Sequence, residues 1–205
     1  MAVPQKKKTD KRGLIIETAQ KRFGLYGVEK TSMREIATDL NMTKGSLYYY
    51  FSGKENLYNA VIKKEQNEFL LKLKEDGKNA TDNTDYLKIY AVKRLSYFRS
   101  FLNLSRIKQE SLADIRPLID QSLKDFREKE RDMIIQVFER GNSNGEFKIS
   151  DPAGTAVLFL DLLRGLRSSV LNNKKTLVVD ENEYRLLLKR TVDFTEIFIN
   201  GLRHS

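Results

Sequence analysis

The chain has 205 residues, of which 40% are hydrophobic, so it has enough apolar side chains for a folded core and global disorder is excluded. It contains no cysteine and a single histidine, His204, which excludes a disulfide framework, a thiolate metal site and a histidine-based metal site or catalytic triad. The net charge of +9 is concentrated in residues 1–64, which carry 13 Lys and Arg against 6 Asp and Glu. This basic first third suits a polyanionic partner, nucleic acid first and anionic membrane second, although a surface charge that only aids solubility is an equal alternative.

Helical spacing of apolar residues occurs almost throughout the chain, and alternating strand patterns are nearly absent, so the sequence predicts an all-α fold of about nine helices. No apolar run reaches the roughly 18 residues that indicate a membrane span. The basic amino terminus lacks the apolar segment of a secretory signal. We therefore expect a cytoplasmic protein without a membrane partner.

The lysine-rich residues 1–12 are predicted to form a flexible basic arm, which either reaches along DNA or only aids solubility. A first helix follows, and one apolar stripe along it is formed by Ile16, Ala19, Phe23 and Tyr26. Gly27 is expected to end this helix, because glycine favours the backbone conformation found after a helix.

Two short helices are predicted next. Thr31 or Ser32 caps the first of them, and Glu35 stands three residues beyond Ser32, which is the spacing of a capping box. Asn41 ends that helix, and Thr43 caps the second, which runs for about two turns before Gly53. Two short helices joined by a tight turn and supported by a longer one form a helix-turn-helix, whose second helix enters the major groove of DNA.

The side chains of the second short helix suit contact with DNA. Its free amide groups and positive dipole end favour phosphate. Gly45 allows the backbone to approach the groove, and Tyr48 and Tyr49 are expected to face outward, since a helix this short does not bury four consecutive rings. Tyr50 and Phe51 are expected to pack inward. The residues assigned to DNA contact by this reasoning are Thr43, Lys44, Gly45, Ser46, Tyr48, Tyr49 and Lys54.

Longer helices are predicted for the remainder of the chain. One begins at Lys54 and ends near Gly77, and Pro117 is expected to separate two helices in the middle of the chain. Asp151 and Pro152 are read as the cap and first residue of a strongly apolar helix. The other predicted helices cover about 84–104, 105–116, 118–140 and 181–202, with a polar loop at 172–180.

The last helix is apolar on more than one side, as Leu186, Val192 and Ile197 illustrate. A second copy of the chain is the expected cover for the additional apolar side, and a large intramolecular core is the alternative. The predicted lining of a ligand pocket consists of Tyr86, Tyr90, Tyr97, Phe98, Phe101, Asp161 and Arg164. Aromatic residues at helical spacing more often belong to an ordinary core, which is the alternative for these five, and Asp161 and Arg164 could be an interface or surface pair.

The pattern of Ala19, Phe23 and Gly27, followed by TSMREIATDLNMTKGSLYYYFSGKENLY at 31–58, resembles the TetR/AcrR family of bacterial transcriptional regulators. The resemblance implies a three-helix DNA-binding domain, here 13–53, and a helical effector-binding and dimerisation domain, here 54–205. It implies a homodimer that pairs through its two last helices in a four-helix bundle, binds a palindromic operator, usually represses, and releases DNA when a small molecule binds. It also implies phosphate contacts by Thr31, Ser32, Tyr49 and Lys54, and base or groove contacts by Lys44, Gly45, Ser46 and Tyr48.

Two other classes of function compete with this interpretation. A helical enzyme is disfavoured, because the sequence offers no catalytic constellation and no glycine-rich phosphate loop. No cofactor or metal is expected. A helical effector-binding or interaction protein without specific DNA binding is the alternative, and the presence of Lys44, Tyr48, Tyr49 and Lys54 argues against it.

Overall fold

The computed structural model describes residues 10–105, 112–171 and 179–203, with side chains except at 101–105, 112–119, 121, 170 and 171. Every regular element in these ranges is helical, so the predicted all-α class is confirmed. The elements are α1 (Lys11–Tyr26), α2 (Met33–Asp39), α3 (Lys44–Tyr50), α4 (Lys54–Asp76), α5 (Asn83–Ser105), α6 (Leu112–Ser143), α7 (Pro152–Leu171) and α8 (Glu181–Arg203), with a short 3-10 turn at Gly77–Asn79 between α4 and α5.

Helix α1 begins earlier than the sequence pattern predicts. The Asp10 carboxylate accepts the Gly13 N–H at 3.0 Å and so caps the helix. Lys11 and Arg12, which were assigned to the arm, are therefore helical, while residues 1–9 lie outside the described part of the chain. Tyr26 is 53% exposed and does not belong to the buried stripe, which is formed by Ile15, Ile16, Ala19 and Phe23.

The predicted helix-turn-helix is present, and the capping residues of α2 and α3 form the expected hydrogen bonds. The Ser32 hydroxyl accepts the Glu35 N–H at 3.3 Å, and the Glu35 carboxylate accepts the Ser32 N–H at 2.8 Å, completing the capping box. Asn41 adopts a positive φ of 50° in the turn between α2 and α3. The Thr43 hydroxyl then caps α3 by accepting the Ser46 N–H at 3.1 Å. These contacts each span three residues, which is why the sequence predicts them.

The prediction that Pro117 separates two helices is wrong for the described residues. Helix α6 runs from Leu112 through Pro117 to Ser143. A proline removes one backbone donor from a helix and crowds the preceding turn, but its φ remains helical, so a long helix continues through it at a cost. The described residues therefore contain eight α-helices, against about nine expected.

The molecule has two apolar cores, and α4 contributes residues to both. The first core lies among α1, α2, α3 and the beginning of α4, where Tyr58 packs edge-on against Phe23 with 5.6 Å between ring centroids. The second lies among α4 to α8 and is centred on Phe138 and Phe159, which are fully buried. Phe69 of α4 packs in this second core. Helix α4 is thus the continuous connection between the helix-turn-helix and the larger body.

Candidate nucleic-acid interface and ligand cavity

Helix α3 is held on the first core by one side of its surface. Leu47 is fully buried, and Phe51, just after the helix, is buried with the Arg12 guanidinium 5.0 Å from its ring centroid. Tyr50 is half-buried and meets Tyr49 edge-on at 5.3 Å. The inward orientation expected for Tyr50 and Phe51 is therefore confirmed.

The opposite side of α3 faces solvent. Tyr49 is 85% exposed and Tyr48 is 41% exposed. The Lys44 ammonium lies 5.5 Å from the centre of the Tyr48 ring, so the cation and the phenol form one exposed surface. Gly45 and Ser46 are also exposed. The outward face predicted for α3 is present, with a cation at its amino end and two phenol hydroxyls beside it.

Gly45 is not required by the fold of the chain. A Cβ added at this position would meet nothing closer than the Thr43 Oγ1 at 4.0 Å, which is ordinary van der Waals contact. The backbone there is helical, so glycine gives no conformational advantage and weakens a short helix by roughly 0.5–1 kcal/mol relative to alanine. Nothing in the described part of the fold requires glycine here, whereas a surface that approaches the backbone closely would favour it.

The structure contradicts the assignment of Thr31 to a phosphate contact. Thr31 is buried, and its hydroxyl donates to the Gly27 carbonyl at 2.9 Å, which closes the turn between α1 and α2. Ser32 is exposed, and its hydroxyl lies 2.8 Å from Glu35 Oε2. Hydrogen bonds from Ser32, first from its N–H and then from its hydroxyl, hold the pKa of Glu35 below its ordinary value.

Lys54 is engaged within the protein. Its ammonium donates to the carbonyls of Val28 at 3.0 Å and Glu29 at 3.3 Å. These bonds fix the beginning of α4 to the turn between α1 and α2. The sequence places Lys54 shortly after α3 but gives no sign of these partners, which lie about 25 residues earlier in the chain. Lys54 therefore positions α4, in addition to any contact with DNA.

An ion-pair cluster joins α1 to α2. The Arg22 guanidinium donates two hydrogen bonds to Asp39, one of them at 3.0 Å, and a further nitrogen lies 3.6 Å from Glu35. The hydrogen bond from Arg22 holds the pKa of Asp39 below its ordinary value. The cluster links the two helices at the surface, and no local sequence pattern indicates it.

A cavity of about 220 Å³ lies in the body among α4, α5, α6 and α7. Tyr97, Phe98 and Arg164 of the predicted lining are on its wall. The wall also includes residues that the sequence analysis did not assign to it, chiefly Gln66, Arg94, Phe126, Arg127 and Arg167. The spacing of Arg164 and Arg167 on an otherwise apolar helix could have indicated one side of this cavity.

Other residues of the predicted lining lie elsewhere. Tyr90 is buried in the core and donates its hydroxyl to Glu130 at 2.8 Å. Tyr86 packs over Gly77, and Asp161 is an exposed partner of Arg164. The side chain of Phe101 lies outside the described part of the structure. Tyr86, Tyr90 and Asp161 therefore do not line this cavity, because helical spacing does not distinguish a side chain that faces a cavity from one that faces the core.

A buried charge network borders the cavity. Glu130 is 4% exposed and accepts hydrogen bonds from the Tyr90 hydroxyl and the Arg94 guanidinium. Burial, and then the negative charge of Glu130, raise the pKa of Tyr90 well above its ordinary value. The described residues contain no cluster of three or more His, Cys, Asp or Glu side chains suited to a metal ion. Within those residues, no helix has the length and apolar character needed to cross a membrane.

Comparisons with known proteins agree with the geometry of the helix-turn-helix. The family model described as "Bacterial regulatory proteins, tetR family" matches residues 15–61. A solved transcriptional regulator from Cytophaga hutchinsonii ATCC 33406 is 37% identical, with a TM-score of 0.85 over 93% of this chain and 97% of that one. The HTH-type transcriptional regulator QacR of Staphylococcus aureus (strain Mu50 / ATCC 700699) is 25% identical over 92% of this chain and 96% of its own.

A fatty acid metabolism regulator protein of Bacillus subtilis (strain 168) is 24% identical over 147 residues, which are 70% of this chain and 74% of that protein. The helix-turn-helix match and the likeness over nearly the whole length of a solved regulator lead to one conclusion. The chain belongs to the TetR family of bacterial transcriptional regulators.

Proposed function

We propose that the protein is a ligand-responsive repressor that binds a two-fold-symmetric DNA operator as a homodimer and leaves it when a small molecule occupies the body. The observation that carries this proposal is the outer face of α3, where an exposed lysine, an unneeded glycine and two exposed tyrosines stand together on a helix-turn-helix. Proteins of this family are generally DNA-binding regulators and not enzymes. We propose that the protein acts in the cytoplasm, where it meets its operator DNA.

We assign the DNA contacts by what the exposed groups offer. The Lys44 ammonium and the amino end of α3 offer donors to guanine or phosphate oxygens. Gly45 lets this end of the helix approach the floor of the groove. Ser46 and Tyr48 complete the groove contacts, and the exposed Tyr49 hydroxyl reaches a phosphate. Thr43, Ser32 and Lys54 remain proposed as contacts at the edges of this surface.

The proposed dimer pairs through α7 and α8. These two helices pack against each other, and both present large apolar side chains to solvent. Ile197 of α8 is 73% exposed, and the other exposed members are Val157, Leu158, Leu162 and Leu186. An apolar surface of this kind stabilises a symmetric pair when a second copy covers it. Pairing serves recognition because a two-fold protein places two α3 helices one turn of duplex apart, about 34–36 Å.

Helix α4 is the proposed connection between ligand and DNA. Lys54 at its beginning is bonded to the turn that precedes α2, and Gln66 lies on the cavity wall. The two residues are separated by 12 positions, which is about 18 Å along a helix. We place the boundary between the DNA-binding and effector-binding parts near Gly53, with α4 packing on both. A ligand that tilts α4 changes the spacing of the two α3 helices, provided it binds the tilted state better.

The proposal is tested by selecting duplexes from a random pool with the purified full-length protein and sequencing the retained DNA. We expect an inverted repeat whose half-sites are centred about 10 base pairs apart, or a multiple of that spacing. Retention of duplexes without a common sequence, at an affinity that depends only on salt, would support the alternative of a protein without specific DNA binding.

A further inference from the structure

The cavity in the body carries an excess of positive charge. Four arginines line it, namely Arg94 of α5, Arg127 of α6, and Arg164 and Arg167 of α7. Arg94 is paired with the buried Glu130, and Arg164 with the exposed Asp161. Within the described residues, Arg127 and Arg167 make no ion pair. The wall thus carries four guanidinium groups and no carboxylate, and only two of the four are paired with a carboxylate outside it.

Arg167 is the most unusual of the four. Its side chain is 8% exposed, and its guanidinium lies 5.3 Å from the centre of the Phe98 ring. Burial, and then the nearby Arg94 cation, lower the pKa of Arg167 to about 9, so the group is still charged at neutral pH. A buried charge without a directly bonded carboxylate is costly, because the protein interior does not replace the water that it loses. An anion in the cavity would remove this cost.

Gln66 provides a second, independent sign of a ligand. It is 5% exposed, it lies on the cavity wall, and its side-chain Nε2 has no hydrogen-bond acceptor among the described residues. Buried amide donors are nearly always satisfied in folded proteins. A molecule bound in the cavity would supply the missing acceptor, and an anionic oxygen is able to accept from both Gln66 and a guanidinium.

The remaining wall is apolar and aromatic, formed by Tyr97, Phe98, Leu123 and Phe126. A ligand that fits both kinds of wall has a negatively charged end and an apolar body. The volume of about 220 Å³ is below the ~300–1,000 Å³ of ordinary small-molecule sites, so the cavity suits a small anion.

We propose that the effector is an organic anion, whose carboxylate or phosphate group binds Arg167 and Gln66 and whose apolar body lies between Phe98 and Phe126. The assignment of this cavity to the effector rests on the proposed function, whereas the chemical class follows from the charges. A cation is rejected by the same arrangement, because it would add to the unpaired positive charge.

The test compares four six-carbon compounds that differ in head group: hexanoate, hexyl phosphate, hexanol and hexylammonium. Their binding to the full-length protein is measured by calorimetry without DNA, so the result does not depend on operator recognition. We expect hexanoate or hexyl phosphate to bind at least tenfold more tightly than hexanol, and the stronger of the two identifies the head group. Binding of hexylammonium with equal or greater affinity, or no binding of either anion at millimolar concentration, overturns the proposal.

Two variants locate the site. Arg167→Met should weaken binding of the anion at least tenfold, while Arg131→Gln, which changes an exposed arginine outside the cavity, should leave binding unchanged. In the absence of ligand, Arg167→Met should keep or raise the Tm, because it removes an unpaired buried charge. A Tm lowered by several degrees, or unchanged anion binding, shows that Arg167 is a structural residue and overturns the assignment. Anion binding without release from the operator would contradict the proposed ligand response and leave the chemical class intact.

Discussion

Replacing Gly45 with alanine should stabilise the free protein and weaken its complex with DNA. The added Cβ meets nothing closer than the Thr43 Oγ1 at 4.0 Å, and no atom of the core has to move. Alanine favours the helical backbone over glycine by roughly 0.5–1 kcal/mol, and the free energy of unfolding should rise by about that amount. Urea unfolding of the two proteins measures the difference.

The effect on the complex has the opposite sign. If α3 approaches the groove closely at Gly45, the methyl group occupies the space between the helix backbone and the DNA. We expect the affinity for the selected operator to fall about tenfold or more, which corresponds to ~1.4 kcal/mol. Fluorescence anisotropy at one fixed salt concentration measures this loss, since affinities for DNA are comparable only at equal salt.

A stabilising change elsewhere provides the control. Asn67 is exposed on α4, and Asn67→Ala should stabilise the free protein by about 0.5 kcal/mol without altering operator affinity. Wild-type affinity in Gly45→Ala would refute the close approach of α3 to DNA. A loss of stability in that variant would refute the argument that the fold does not require glycine here.

Three further predictions concern residues outside the outer face of α3. Thr31→Val should lower the free energy of unfolding by about 1–2 kcal/mol, because the buried Gly27 carbonyl loses its donor. It should leave the affinity for the operator at fixed salt unchanged, and a loss of about fivefold or more would restore the phosphate contact. Although burial raises the pKa of Glu146, hydrogen bonds from the amino end of α5 outweigh it and lower the pKa below its ordinary value of 4.5. Glu146→Gln should therefore be less stable than the wild type in urea unfolding at pH 7, with the gap closing as the pH falls below 4.5, and a gap independent of pH would contradict this. Leu158→Glu combined with Ile197→Glu should sediment as a monomer at micromolar concentration, and a persistent dimer would place the interface elsewhere.

The sequence predicts the helix-turn-helix well because its determinants are local. The capping box of Ser32 and Glu35 and the cap of α3 by Thr43 each join residues three positions apart. The burial of Thr31 and the hydrogen bonds of Lys54 are not predictable from the sequence, because their determinants are not local. Thr31 is buried by the way the preceding turn folds, and the Lys54 ammonium finds carbonyls about 25 residues earlier in the chain.

The cavity was only partly predictable. Tyr97 and Phe98 line it, but Tyr90, seven residues before Tyr97 on the same helix, enters the core and bonds to Glu130. The packing of α4, α6 and α7 around α5 decides which aromatic side chains of α5 face the cavity. The spacing of residues within α5 does not encode this packing. The four arginines come from three helices, so their proximity is a property of the tertiary fold.

The affinity of Tyr49→Ala for the selected operator tests the central claim most directly. Tyr49 is 85% exposed, so its removal should not disturb the fold, and Tyr26, 53% exposed at the end of α1, provides a matched control. If the outer face of α3 binds DNA, Tyr49→Ala loses about tenfold or more in affinity, because a hydrogen bond to a phosphate is lost in each half-site, while Tyr26→Ala binds as the wild type does. Equal affinity of Tyr49→Ala and the wild type would contradict the assignment of this face to DNA.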